Sequence, residues 1–364
     1  MNYIISANLS KKNILNTMSG LLLKNFKSGA VLSFGELLLR ISPDADGNWL
    51  DNKALPFYVG GAELNVATAL ALWDVPSKYF TALPKNGLSE QIIGYLNKKN
   101  IDTSPVYYHG NRLGLYFLTK GKDLKHDALI YDRANSAFAD LKPGMIDWDK
   151  VLDRVSWFHF SAICPAINQQ VADVCLEALK AASKKGITIS VDLNYRSKLW
   201  QYGKQPQEVM PQLVKYCDVI MGNIWAAEKM LGIEVLGDIH ESGQKSIYLK
   251  EALSSSKRIA EQYPKCKAVA NTFRFDEWDD IDYYTSLYTD DGFYTSHEYN
   301  TQEKVDKVGT GDCFMAGLIY GFYNNQPAQQ TLEFATAAAF QKLFITSDAT
   351  TNTVDEIIKA IKYE

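Results

Sequence analysis

From Trp157 onward, short runs rich in β-branched and aromatic residues alternate with longer amphipathic stretches, and this alternation constrains the fold more than any other feature. Trp157–Phe160, Thr188–Asp192, Val219–Met221 and Ala268–Asn271 read as strands. Gln170–Lys184, Glu208–Tyr216 and Ser246–Tyr263 read as the helices between them. A strand that feeds a helix and then another strand returns parallel, through a right-handed crossover. The pattern therefore predicts an α/β fold: a mostly parallel sheet between two layers of helices, with ligands beyond the carboxyl ends of the strands. A hairpin is expected over Tyr284–Tyr299 around Asp290-Asp291-Gly292, then helices over Asp312–Phe322, Thr331–Phe344 and Val354–Tyr363.

The first half is less regular. Ala30–Ile41 reads as a strand with a turn at Gly35, and Lys78–Ala82 as another. Helices are expected after Gly60-Gly61, through Leu64, Ala67, Leu70 and Ala71, and over Leu88–Lys99. Val106–Tyr108, Leu113–Thr119 and Leu129–Tyr131 look like consecutive short strands which, with segment 39–59, make a candidate second sheet outside the main layer.

A net charge of −4 gives no electrostatic reason to bind nucleic acid or an anionic membrane. The five cysteines are far apart, odd in number and without a C-x-x-C pair, which argues against a disulfide framework or zinc site and fits a cytoplasmic setting. The plain reading of each is a small buried hydrophobe. No apolar run has the length of a membrane helix. Residues 1–26 are Asn/Ser/Lys-rich, lack a continuous signal-peptide core, and read as an N-terminal extension without assigned function, with Met18 as an alternative initiator.

Chemistry concentrates in Val305-Asp306-Lys307-Val308-Gly309-Thr310-Gly311-Asp312, which opens an apolar helix. Two glycines there let a ligand approach the backbone. The helix start offers unpaired N–H groups and a positive dipole end, which suit an anion. Asp312 can take a proton from an incoming hydroxyl. The plain reading is a capped helix after a tight turn. Neither the G-x-x-x-x-G-K-[ST] loop nor the protein-kinase set is present, and Gly309-Thr310-Gly311 lacks the further glycine of a dinucleotide fingerprint.

Asp306-x-x-Gly309-x-Gly311-Asp312 resembles the C-terminal motif of the ribokinase/PfkB family of sugar kinases, and Gly60-Gly61-Ala62-Glu63-Leu64-Asn65-Val66-Ala67 resembles its upstream one. Phe34-Gly35-Glu36 through Pro43, Arg112-Leu113-Gly114-Leu115-Tyr116-Phe117, Tyr131-Asp132-Arg133-Ala134-Asn135-Ser136-Ala137 and Asp192-Leu193-Asn194-Tyr195-Arg196 are most similar to the 2-keto-3-deoxygluconate (KDG) kinase branch. The resemblance runs from about Ala30 to the C-terminus. It implies a ribokinase-like α/β/α sandwich over 27–364, with a small β-sheet lid from about 39–59 and 104–133. It also implies ATP with Mg²⁺ as co-substrate, a monovalent cation being left open, an acid sugar as acceptor, and homo-oligomers formed through the lid.

By the same resemblance, Asp312 is the general base and the N–H groups of Gly309, Thr310, Gly311 and Asp312 form the anion hole. Gly61, Asn65, Tyr116, Tyr131, Arg133 and Arg196 line the sugar pocket, with Asp348 as a further contact. The two arginines suit a carboxylate, since a guanidinium binds one bidentately. The plain alternatives are sheet-surface aromatics, solvated arginines, and a loop or cap role for Asp348. Asp132 should face away from Tyr131 and Arg133. Asn223, Thr272 and Arg274 are the expected nucleotide contacts. One departure stands out. Where many members have Asn-x-x-Glu, this chain has Asn223-Ile224-Trp225-Ala226, and its first Glu is Glu228. The competing readings are a fructokinase- or ribokinase-type enzyme, or a non-catalytic sugar- or nucleotide-binding protein.

Overall fold

The computed structural model describes residues 29–43, 49–50, 53–119, 129–235, 239, 244–277 and 280–361. Its strands in chain order are β1 (Ala30–Phe34), β2 (Leu38–Ile41), β3 (Phe57–Gly60), β4 (Ser77–Phe80), β5 (Ala82–Leu83), β6 (Ile101–Asp102), β7 (Tyr107–Tyr108), β8 (Gly114–Phe117) and β9 (Ile130–Asp132). They continue with β10 (Val155–Ser161), β11 (Thr188–Asp192), β12 (Val219–Gly222), β13 (Ala268–Glu277), β14 (Asp280–Thr289), β15 (Gly292–Thr295) and β16 (Tyr299–Thr301). The large sheet runs β15-β14-β13-β12-β11-β10-β1-β4-β6, with β16 also on β14. From β6 to β13 every pairing is parallel, and β13 to β16 add an antiparallel edge.

Side chains alternate across a strand, so each central strand feeds two cores. Leu32, Phe34, Phe158, Phe160, Ile189, Val191, Ile220 and Val269 point to one side and pack with the helices Gln169–Lys184, Pro206–Val214 and Ile224–Leu231. Val31, Trp157, Val219, Met221, Ala268 and Ala270 point to the other and meet Ala62–Leu72, Thr310–Tyr323 and Ala328–Lys342. The result is the expected three-layer ribokinase-like sandwich. Strands buried on both faces account for their almost uniformly apolar runs.

A separate four-stranded sheet has the order β3-β2-β8-β9. Its inner face carries Arg40, Tyr58, Tyr116 and Tyr131 side by side. Two of the chain's four crossings between these sheets run from β1 to β2 through Gly35-Glu36-Leu37 and from β3 into the helix Ala62–Leu72 through Gly61. These crossings touch. A Cβ on Gly61 would lie 2.4 Å from the Glu36 carbonyl oxygen, and its φ of +135° is open only to glycine.

Two expectations need correction. Tyr107–Tyr108 does not join the small sheet but pairs in parallel with Ala82–Leu83, because Thr81 and Leu83 carbonyls accept from Tyr107 and His109. The strand at Ala268 does not stop at Asn271. It continues to Glu277 and pairs antiparallel with β14, so that β14 hairpins at both ends and the expected Tyr284–Tyr299 hairpin is only its second half. The polar residues Asn271, Thr272, Arg274 and Asp276 hide this strand from a hydrophobic pattern. The 1–26 extension and the last residues of the helix at Val354 lie outside the described residues.

Candidate active site

A cavity of about 690 Å³ opens where the large sheet's carboxyl ends meet the inner face of the small sheet. It gathers Gly61, Asn65, Tyr116, Tyr131, Arg133 and Arg196 at one end, and Asn223, Thr272 and Arg274 at the other. Gly309, Thr310, Gly311 and Asp312 lie with them in the same lining. Of the sequence-predicted site residues only Asp348 is absent from the lining.

The helix Thr310–Tyr323 begins here, capped by Gly309 with φ +78° and ψ 2°. That left-handed turn places Asp312 in the first turn. The N–H groups of a first helical turn have no partner within their own helix, and they open on the cavity. A Cβ at Gly309 would sit 1.8 Å from the Asp348 carbonyl oxygen, so the turn is closed to other residues. At Gly311 a Cβ would meet only the end of Met221, at 3.9 Å. The space beside Gly311 is therefore free for a ligand.

Asp312 is buried, and its Oδ2 accepts from Asn65 Nδ2 at 2.7 Å. Its carboxyl is pushed up to about 7, chiefly by burial. The Asn65 bond opposes the rise, the carboxylates of Asp192 and Glu63 add to it, and Arg196 counters it. Asp192, at the end of β11, is raised to about 6, again by burial. A carboxyl that titrates near neutrality can both accept and retain a proton, as a general base must. Asn65 keeps its own Oδ1 buried and unpartnered. Tyr283, which also lines the cavity, keeps a buried, unpartnered hydroxyl. Such orphaned atoms are costly unless a ligand satisfies them.

Sequence reading missed the ionic scaffold around this centre. Arg133 lines the cavity, but its Nε donates to Glu36 Oε2 at 2.6 Å, and Ser136 Oγ donates to the other Glu36 oxygen. Its charge is thus already partnered. Glu63 is fully buried, and its Oε1 accepts from Ser161 N at 2.8 Å and Ser161 Oγ at 2.6 Å. Cys164 Sγ lies 3.3 Å from the same oxygen. Asp132 faces away, as expected, and pairs with Arg112. Asp348 sits behind Tyr116, whose hydroxyl donates to its Oδ2 at 2.6 Å. Arg40 Nε donates to its Oδ1 at 2.7 Å, and Arg40 Nη2 to Asp306 Oδ2 at 2.8 Å. Arg40 is only 1% exposed. Glycine at position 60 leaves room for Asp348, since a Cβ would lie 2.2 Å from its Oδ2. The only sequence signal for this scaffold was charge inside apolar runs, in Leu37-Leu38-Leu39-Arg40-Ile41 above all.

At the other end, Asn223 caps the helix Ile224–Leu231 by accepting from Ala226 N at 2.7 Å. Glu228 also reaches the lining, with its side chain 34% exposed. Among the described residues no group of three or more Asp, Glu, His or Cys is arranged to hold a metal. Among them, too, no helix is long and apolar enough to cross a membrane.

A three-layer α/β sandwich with a phosphate-receptive helix start beside a near-neutral carboxyl defines a phosphotransferase with a hydroxyl acceptor. The pfkB family carbohydrate kinase pattern matches residues 29–253 and 283–355, and the chain belongs to that family. Its sequence is 25% identical over 343 residues to the 2-dehydro-3-deoxygalactonokinase of Haloferax volcanii, covering 91% of this chain and 96% of that one. The crystal structure of 2-dehydro-3-deoxygluconokinase from Thermotoga maritima superposes with a TM-score of 0.82 and 34% identity, over 91% of this chain and 98% of that one. Fructokinase with bound ATP from Xylella fastidiosa shares the fold, with a TM-score of 0.71, 18% identity, and 92% and 98% of the two chains covered.

Proposed function

We propose that this carbohydrate kinase transfers the γ-phosphoryl group of ATP to the C6 hydroxyl of KDG, giving 2-keto-3-deoxy-6-phosphogluconate. The observation that carries the reading is the Asp312 carboxyl, raised to about 7 by burial and held by Asn65 at the first turn of its helix. Asp312 takes the hydroxyl proton as the oxygen attacks phosphorus. The N–H groups of Gly309–Asp312 receive the charge that develops on the phosphoryl oxygens. Arg196, half-buried in the cavity, is the acid sugar's carboxylate partner, and Tyr116 and Tyr131 form its wall. Asp348 acts on the sugar only through Tyr116.

Asn223, Thr272 and Arg274 face the nucleotide. Asn223 and Glu228 would be the residues to hold a Mg²⁺ carried with the phosphates, where it would neutralise phosphate charge. No monovalent cation is needed in this reading, because Arg40 and the buried Lys342 together offset the charges of Asp306 and Asp348. The small sheet serves as a lid that excludes water as a competing acceptor. Its outer face is the surface for self-association.

The names of the Thermotoga and Haloferax relatives support the acid-sugar reading. One observation favours a neutral sugar instead: Glu36 cancels the charge of Arg133, leaving Arg196 as the candidate for the carboxylate. Coupled ADP release with KDG, fructose, ribose and gluconate separates the two. Selective turnover of KDG is expected. Equal or better turnover of fructose or ribose would leave Asp312 in place and remove the carboxylate argument.

A further inference from the structure

We infer that Lys307 is a catalytic cation, held at the nucleotide end of the cavity by Asp276 so that, with Arg274, it neutralises the phosphoryl group in transit. The inference rests on the kinase reading of this site. Lys307 lines the same cavity as Gly309–Asp312. Its side chain is only 9% exposed, and its Nζ lies 2.9 Å from Asp276 Oδ2. Arg274 Nη2 lies 3.4 Å from the same oxygen. One carboxylate thus gathers two cations from different elements, the strand β13 and the loop before the helix Thr310–Tyr323. The backbone of Lys307 is equally fixed. Thr310 Oγ1 donates to its carbonyl at 3.0 Å, and its neighbour Asp306 is bound to Arg40.

The charge balance of the cavity explains why a second cation belongs here. Five carboxyl groups and six cationic side chains line it, so a nucleotide triphosphate, which brings about four more negative charges at neutral pH, depends on cations placed at its phosphates. A lysine drawn out of water needs an anion, and the partly exposed Asp276 supplies it while holding the ammonium at the cavity. The family match omits 254–282, and with it the part of β13 that bears Arg274 and Asp276. These charges are therefore not part of the matched family pattern.

In the step itself, Asp312 removes the acceptor's proton and that oxygen bonds to the γ-phosphorus. The bond from the γ-phosphorus to the bridging oxygen breaks, and ADP leaves with its electron pair. Lys307 transfers neither proton nor electrons; it lowers the barrier by its charge.

The test compares Lys307→Met, Lys307→Arg and Asp276→Asn with the unmodified enzyme, by steady-state kinetics and by calorimetric binding of MgATP and MgADP. Lys307→Met is expected to lower kcat about a hundredfold, with the sugar's KM within about twofold. Lys307→Arg should recover about tenfold of that loss, as a restored charge but not a restored geometry. Lys307→Met should weaken MgATP more than MgADP, which loss of packing alone would not do. Asp276 is 29% exposed, so Asp276→Asn tests the same idea without disturbing a core; kcat should fall while MgATP binding does not. The inference is overturned if Lys307→Met keeps kcat within about threefold, or weakens both nucleotides equally. If Lys307→Met does not fold, an unchanged kcat in Asp276→Asn overturns it. An unmodified enzyme that phosphorylates no sugar would refute the kinase reading instead, leaving the contrast between MgATP and MgADP to be read separately.

Discussion

Asp312→Asn should abolish most turnover and at the same time stabilise the fold, more so at alkaline pH. The carboxyl rises from its ordinary 3.8 to about 7 in the folded protein, mainly through burial. A raised acid means that the folded chain holds a proton that the unfolded chain has released. Between about pH 4 and pH 7 the folded state therefore binds more protons, and stability falls as pH rises. The rise is about three pH units at about 1.4 kcal/mol each, so the ionised carboxylate costs the fold on the order of 4 kcal/mol above pH 7. Asparagine carries no such charge and still offers Asn65 an oxygen. The stability difference between variant and parent should be near zero at pH 4 and should grow to a few kcal/mol by pH 8. Guanidinium unfolding at pH 4, 6 and 8 measures it directly.

The same carboxylate predicts the rate profile of the parent enzyme. With a midpoint near 7, about a tenth of the molecules hold an ionised base at pH 6 and about nine-tenths at pH 8, so kcat/KM, which reports the free enzyme, should rise about tenfold between them. Asp312→Asn should retain sugar binding by calorimetry while kcat falls by orders of magnitude. A variant less stable than its parent at pH 8, or a parent whose kcat/KM is flat from pH 6 to pH 8, would refute the reasoning. Either result would mean that Asp312 is not the buried, near-neutral base.

Further outcomes follow from the scaffold. Arg40→Met leaves Asp306 and Asp348 buried beside each other without the guanidinium that binds both, and should cost about 3–5 kcal/mol in denaturant unfolding. Adding Asp348→Asn should return part of that loss. Asn65→Ala removes a donor that favours ionised Asp312, and should move the acid limb of kcat/KM to higher pH by about one to two units, with activity recovering above pH 8. Gly309→Ala forces a Cβ at φ +78° against the Asp348 carbonyl, and should cost well over about 1 kcal/mol in thermal unfolding and leave little turnover.

The main layer was legible because its physics is local. Strands buried on both faces must be apolar throughout, and the helices between them show one apolar stripe, so each element announces itself within its own few residues. The strand β13 was legible only as far as Asn271, since beyond it the side chains serve a cavity rather than a core. The site was legible where a motif is contiguous: Gly309–Asp312 and Gly61–Asn65 each sit on one crossing or helix start. Tyr116 and Tyr131, although apart in sequence, were found through runs that keep their own pattern.

What stayed hidden was pairing between distant charges. Arg40 meets Asp306 and Asp348 across 266 and 308 residues, and Glu36 meets Arg133 across 97. Nothing within a window around Arg133 shows that its charge is spent, so sequence offered it to a substrate carboxylate. That pairing changes the argument about specificity. Buried ion pairs of this kind add little net stability, because removing the charges from water costs about what their attraction returns. Their effect is to fix register. Arg40 lies on the small sheet, Asp306 just ahead of the Gly309 turn, and Asp348 on the loop whose carbonyl that turn must clear. One guanidinium therefore sets how the small sheet stands over the helix start that carries Asp312. Hydrophobic packing of equal strength would tolerate a slide of an ångström, and a phosphoryl acceptor displaced that far loses its line of attack.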